Sequence, residues 1–298
     1  MKTYLDCLPC IIKLIFETIK ILNLNDEDAK KIFYEILEEI KKFDLKLSPP
    51  EITGELFQKL KIFSKASDPF YKIKNFSNDL IYKNKNLFLE KINNSRDKLL
   101  TALKISILGN IIDYGVNPSL IIEDEINKLF TKIDENTNKE VFEYDLFLKD
   151  LKNSKSLLFL TDNAGEIILD YILLKTIKNL YPKIKIFLAL KSTPILNDVS
   201  IIDKLPVNLG ELGEVFESGS IYPGTILDKT QEKFLEYFNK SDIVISKGQG
   251  NFESLSKDYK KNRKIYFLFL IKCRIIVNDI KNNFFKNSNI YDIVLMKN

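Results

Sequence analysis

Leu157-Leu158-Phe159-Leu160-Thr161-Asp162-Asn163-Ala164-Gly165-Glu166 is the stretch on which the reading of the chain turns. Its first four residues are an apolar run of strand length. The residues after Glu166, Ile167-Ile168-Leu169-Asp170-Tyr171-Ile172-Leu173-Leu174, carry apolar side chains at helical spacing. Buried strand, tight turn and helix, in that order, make the unit of an open α/β sheet. Ligands bind such sheets at the carboxyl ends of the strands. Asp162 and Asn163 then stand side by side where the fold exposes hard oxygen atoms. Two readings of the pair are open: an N-cap for the following helix, or the core of a divalent-metal site.

The same alternation continues toward the C-terminus. Short β-type runs recur at 184–190, 242–245 and 265–271, and helical stretches fall at 167–180, 230–238 and 255–260. Alternating strands and helices predict a mostly parallel sheet with helices on both faces. The apolar run at 290–295 predicts an added edge strand. Toward the N-terminus, residues 1–130 read as helix after helix. Ile11, Ile12, Leu14, Ile15, Ile19 and Leu22 make one apolar face. Asn25, followed by Asp26, Glu27 and Asp28, caps a second helix. Pro49-Pro50-Glu51, Asp68-Pro69, Arg96 and Asn117-Pro118-Ser119 open others. The polar segment 131–140 is the best linker. The expected fold class is α/β: an N-terminal helical bundle over residues 1–140, and a C-terminal three-layer α/β/α domain with a mostly parallel sheet over 141–298.

Composition narrows the chemistry. The 298 residues are 45% hydrophobic, enough for a full core, and the charges nearly cancel at +4. That balance is no polyanion footprint, so nucleic acid is not an expected partner. Asp6 and Lys13 interrupt the N-terminal apolar stretch, which argues against a signal peptide. The run at 266–271 is too short to span a bilayer. Three cysteines do not suggest a secreted disulfide framework. A cytoplasmic protein is the simplest expectation. The chain has no histidine at all. That removes Ser-His and Cys-His nucleophile pairs, imidazole-rich zinc sites and the usual neutral-pH base. A metal must then be held by carboxylate, amide, thiolate or backbone oxygen, and oxygen-rich sets favour Mg²⁺ or Mn²⁺-like ions.

Several strands end in polar groups. The first ends at Asp162-Asn163 and the second at Lys191-Ser192, with Asn197-Asp198 shortly after. The run at 243–245 ends at Ser246-Lys247-Gly248-Gln249-Gly250-Asn251-Phe252-Glu253, and the run at 265–271 at Lys272-Cys273. If the strands are parallel, these ends share one edge and gather Asp162, Asn163, Asp198, Lys247, Glu253 and Lys272 in one cleft. Around Gly248 and Gly250, backbone N–H groups approach an anion closely, and a following helix offers its positive end. The Gly-Lys-Ser/Thr order of a Walker motif is missing. Alone, such a turn is mostly just a turn. Asp198 also reads as an exposed loop acid, and Lys272 as a solvated lysine. Asn110 and Asp113, one helical turn apart, are either an exposed stripe or a wall of the cleft. Cys7-Leu8-Pro9-Cys10 is open among a redox pair, half a metal site and accident, and a structural or redox-sensitive pair near the cleft is favoured. Thiols at helix N-termini tend to have lowered pKa values.

Taken together, these residues resemble the DUF89 family, the metal-dependent damage-control phosphatases also called ARMT1-like proteins, in its subfamily I. The resemblance rests on Cys7 to Cys10, on Gly250-Asn251-Phe252-Glu253 and on Lys272-Cys273, and it covers most of the chain. It implies metal ligation by Asp162, Asn163 and Asp198. It implies a phosphatase using Mn²⁺, Ni²⁺, Co²⁺ or Mg²⁺ on phosphate monoesters such as sugar phosphates, with damage control as the role and a small phosphorylated metabolite as the partner. In that reading Lys247, Lys272, Gly248, Gln249, Gly250 and Asn251 receive the phosphate and balance its charge, and Glu253 orients water or a substrate hydroxyl. Ala164 stands where a phospho-aspartate mechanism of the haloacid dehalogenase kind needs a second aspartate. One eukaryotic branch of the family is described as a carboxyl methyltransferase using S-adenosylmethionine, which remains an alternative. The first strand turn lacks the glycine-rich loop expected for that cofactor. A non-catalytic metal- or redox-responsive protein built on Cys7 and Cys10 is the third reading.

Overall fold

The computed structural model describes residues 1–109, 122–135, 137–256 and 264–298. Helices come first: α1 (Leu8–Ile21), α2 (Asp26–Ile40), α3 (Pro49–Ser64), α4 (Tyr71–Lys83), α5 (Lys85–Asn93), α6 (Lys98–Leu108) and α7 (Ile122–Asp134). Alternation follows: α8 (Tyr144–Lys152), β1 (Ser156–Leu160), α9 (Glu166–Leu180), β2 (Lys185–Leu190), β3 (Glu214–Glu217), α10 (Glu232–Lys240), β4 (Ile243–Lys247), α11 (Gln249–Leu255), β5 (Ile265–Leu270), α12 (Arg274–Phe284) and β6 (Ile293–Lys297). The helix starts are chemically marked. The Asn25 side chain accepts from the Asp28 N–H at 2.9 Å, and Ser48 with Glu51 forms a capping box ahead of Pro49.

The sheet order is β3-β2-β1-β4-β5-β6, parallel except for β6, which runs antiparallel to β5. The central strands are apolar on both sides because both faces are covered. Leu157 and Phe159 face one core with α6 and α9, and Leu158 and Leu160 face another with Phe234 of α10, Phe252 of α11 and Ile276 of α12. The first core takes residues from both sides of position 140, for example Leu103, Leu108, Ile168 and Leu173. A third cluster joins α1, α2 and α3.

The mostly parallel three-layer architecture with a helical N-terminal part agrees with the expectation. Several details differ, and α8 and α12 were not anticipated. Residues 131–134 finish α7 and do not begin a linker, because Ile133 is buried in the first core. α4 and α5 are two helices where one start was marked at Asp68-Pro69. β3 was not anticipated: it has four residues, of which only Phe216 is buried. α11 begins at Gln249, not near 255. Gly250 suggested a loop, but a Cβ there would overlap the Pro223 carbonyl, so glycine lets the helix pass close to that backbone. Asn110, Asp113 and Asn117-Pro118-Ser119 lie outside the described residues. No helix among the described residues is long and apolar enough to cross a membrane.

Candidate metal and phosphate site

Strand order reverses between β1 and β4, since β1 leads outward through β2 to β3 and the chain then returns to β4 at the other side of β1. The crevice beyond the carboxyl ends at such a point is where α/β sheets bind ligands. Asp162 and Asn163 leave β1 there, and Gly248 leaves β4 there.

The turn after β1 is held from two sides. The Val199 N–H donates to the Asp162 carbonyl at 2.8 Å, the Ala164 N–H donates to the Asn197 carbonyl at 2.9 Å, and Asn163 forms an isolated antiparallel bridge with Asp198. From α4, Asn78 accepts the Gly165 N–H at 2.6 Å. Gly165 sits at φ 78°, a left-handed conformation open to glycine. The Asp198 loop is pinned by the helical part of the chain. Ile195 and Leu196 pack with Phe57 and Phe70, and Leu196 adopts φ 47° to do so. A leucine in that region costs about 1 kcal/mol. Gly248, at φ 83°, lies directly against the Asp162 carboxylate, which a Cβ would overlap.

The electrostatics are unbalanced. Asp162, Glu166, Asp170 and Asp198 are all buried, and two buried ammonium groups, Lys191 and Lys247, accompany them. Four carboxylates against these two ammonium groups leave buried negative charge in excess, which Lys272 acting on Asp162 and Lys74 acting on Asp198 offset only in part. Burial pushes Asp162 well above the usual carboxylate range, and Glu166 and Asp198 push it further. Burial also raises Asp198 to about 6, against the pull of Lys191. Asp170 is raised to about 6 by burial, opposed by Lys247. Burial disfavours the charge on Lys247, but Asp170 and Glu166 outweigh it and hold the group protonated.

These residues fit a divalent cation. Asp198 Oδ2 is buried with no hydrogen-bond partner among the described residues, and only the Lys191 ammonium approaches it, at 3.5 Å. The Lys191 ammonium is itself directed at the Gly224 carbonyl at 2.8 Å. Among the described residues no three Cys, Asp or Glu side chains form a ready cage. Two carboxylates and an amide oxygen are nonetheless the set that Mg²⁺-like ions use, completed by water and substrate phosphate. A dication at Asp162 and Asp198 would also offset that excess.

Lys247 is a correction to the sequence reading. Its ammonium contacts Glu166 Oε1 at 2.6 Å, Asp170 Oδ1 at 2.8 Å, and both the carbonyl and the hydroxyl of Ser106 at 2.8 Å. Its three protons are engaged there, so it does not reach out to a phosphate. Asn251 is a second correction. It donates to the Lys247 carbonyl at 2.7 Å and the Thr161 carbonyl at 3.2 Å, and it accepts from Thr225 Oγ1 at 2.7 Å. Its side chain ties loops together. Gly248 opens α11 without a side-chain cap, and first-turn N–H groups have no intrahelical acceptor.

A neighbouring group collects the other motif residues. Gln249 donates to Glu253 Oε1 at 2.8 Å and accepts the Lys272 N–H at 3.1 Å. Glu253 is partly buried and raised to about 7 by burial. Exposed Lys272 acts on both Asp162 and Glu253, lowering each. Cys7, Cys10 and Cys273 are free thiols. Cys7 and Cys273 each cap a helix, α1 and α12, yet burial raises both, and Glu253 adds to the rise. The lowering expected at a helix start is overcome by desolvation.

Glu166, Asp170, Ser106 and Asn78 were not singled out from sequence, and Lys191 was marked only as a strand end. Glu166 and Asp170 carried a signal, two acids at (i, i+4) on an otherwise apolar helix. Lys191 closes β2 as Lys247 closes β4. Ser106 and Asn78 had none.

The fold and the crevice define an α/β protein with an acidic, cation-demanding centre beside a glycine turn. Comparison with known proteins names the class: the damage-control phosphatase ARMT1-like domain matches residues 3–286, and the chain belongs to that family. Damage-control phosphatase PH1575 of Pyrococcus horikoshii is 30% identical over 284 residues, covering 94% of this chain and 95% of that protein. An uncharacterised protein of Methanocaldococcus jannaschii is 31% identical over 284 residues, covering 92% and 90%. The crystal structure of the DUF89 family protein from Pyrococcus horikoshii superposes with a TM-score of 0.89 at 25% identity, covering 100% of this chain and 99% of that one.

Proposed function

We propose that the chain is a divalent-metal-dependent phosphatase that hydrolyses phosphate monoesters of small metabolites in the cytoplasm, in the service of metabolite damage control. The observation that carries this reading is the excess of buried negative charge around Asp162 and Asp198, at the strand-order reversal and against the Gly248 turn. Family membership gives the reaction class. Asp162, Asn163 and Asp198 would hold the ion, Mn²⁺, Ni²⁺, Co²⁺ or Mg²⁺. Bound there, such an ion supplies Lewis-acid polarisation of the phosphoryl group and an acidified water.

The chain's own groups do the rest. Lys272, exposed and close to Asp162, offers its ammonium to the phosphate's outer oxygens. The Gly248 N–H donates to the Leu268 carbonyl at 2.9 Å, so the N–H groups that follow it in the first turn of α11 would face the anion. Gln249 holds Glu253 Oε1, so Oε2 is the atom that exchanges a proton with the substrate, and a group near pH 7 is matched to that task. Lys191 and Lys247 stay on their carboxylates and keep the acids in place.

Steady-state hydrolysis of a chromogenic aryl phosphate, with each of the four ions, tests the reading. Asp162→Ala and Asp198→Ala are each expected to lose about 10²- to 10³-fold in turnover. Wild-type turnover in both variants with added metal would place the chemistry elsewhere.

A further inference from the structure

The buried network at Lys247 has a geometry that packing alone does not require. Lys247 comes from the end of β4, Glu166 and Asp170 from one face of α9, and Ser106 from α6. Buried ion pairs of this kind contribute little net stability compared with apolar packing. Here the arrangement even leaves Asp170 Oδ2 buried without a hydrogen-bond partner among the described residues. Ser106 Oγ donates to Asp170 Oδ1 at 2.6 Å and accepts from Lys247, which locks the ammonium in one place.

The network leads to the site through Glu166. Its Oε1 is taken by Lys247 at 2.6 Å, and its Oε2 accepts from Asn163 Nδ2 at 3.2 Å. The same Nδ2 donates to Asp162 Oδ2 at 2.7 Å. Two carboxylate oxygens can only accept, so the amide must turn its nitrogen toward them. Of the amide's two ends, Oδ1 is the one whose chemistry can ligate a cation.

Resting on the metal-dependent reading above, we infer that Lys247 is a positioning residue. Clamped by Ser106 and Asp170, it fixes Glu166, and Glu166 orients the Asn163 amide for metal ligation. The phosphate contact expected of this lysine is replaced by a task one layer behind the ligands. Groups in that layer tune metal affinity through the ligands they hold. The three elements that meet at Lys247 also tie the ligand to α6, a helix of the N-terminal part.

The test is direct Mn²⁺ binding to the full chain, read by electron paramagnetic resonance, with no substrate present. The double variant Lys247→Met/Asp170→Asn removes one positive and one negative charge, so the buried net charge is unchanged. Glu166→Gln keeps one acceptor oxygen for the ammonium and turns an N–H toward the Asn163 Nδ2, which breaks the orienting contact. Each is expected to bind Mn²⁺ about 10- to 100-fold more weakly, with an unchanged circular dichroism spectrum. In hydrolysis, the Mn²⁺ activation constant should rise while KM for the ester stays put at saturating Mn²⁺. A merely structural role would move both or melt the protein. If either variant fails to fold, Ser106→Ala carries the test, because it removes one hydroxyl and no charge; a several-fold loss supports the clamp. Folded variants that bind Mn²⁺ within twofold of the unaltered chain overturn the positioning role alone. An unaltered chain that binds none of the four ions overturns the metal-dependent reading and this inference together.

Discussion

Asp198 carries the sharpest consequence of burial. Its carboxyl is raised to about 6 from an ordinary value near 3.8. Between those values the folded chain holds a proton that the unfolded chain has lost. Without a cation, stability therefore falls as pH rises through that window and levels off above it, by at most about 3 kcal/mol. A bound ion needs the carboxylate, so its stabilising effect grows over the same range. Thermal melts from pH 4 to 8 in chelator and in Mn²⁺ should show the two curves separating as pH rises to about 6, with a constant gap above it. Parallel curves would remove Asp198 from the ligand set. The sequence made Asp162, Asn163 and Asp198 visible as candidates, because acids and amides at strand ends stand out against apolar runs. It did not show that Lys247 is consumed by Glu166 and Asp170. That depends on a face of α9 turned toward the end of β4, with Asp170 and Lys247 77 residues apart in the chain, which residue spacing does not encode.

At the level of elements, the turn into α11 does two jobs at once. It ends β4, and it makes room for the Asp162 carboxylate where any side chain would collide. Gly248→Ala should cost about 1–2 kcal/mol for the left-handed backbone alone, and it should also displace Asp162. Activity is expected to fall by at least tenfold while the protein still folds, a combination read from turnover and a melting curve together. The strands β1, β2, β4 and β5 were legible because continuous apolar runs between turn residues have few other uses. β3 was hidden by its brevity and by Glu214 and Glu217 at its ends. The start of α11 was hidden by Gly250, which reads as a turn until the Pro223 carbonyl beside it is known.

For the molecule as a whole, the change from helices to alternating strands near residue 140 is a change of element type and not of core. Leu103 and Leu108 of α6 are buried with Ile168 and Leu173 of α9, in one cluster with Phe159. The chain is therefore expected to melt in a single calorimetric transition, with residues 141–298 insoluble when expressed alone. Two separated transitions would show that the two parts hold independent cores. The helical part also sets the crevice from behind: Phe57 and Phe70 hold the Asp198 loop, Asn78 holds the Asp162 turn, and Ser106 holds Lys247.

The reversal of strand order divides the crevice by ancestry along the chain. Every proposed cation ligand, Asp162, Asn163 and Asp198, comes from the β1–β3 side, and Gly248, Glu253 and Lys272 come from the β4–β6 side. A phosphorylated guest would therefore add a stitch across a seam already closed by the β1–β4 ladder, by Lys247 on Glu166 and Asp170, and by Asn251 on the Thr161 carbonyl.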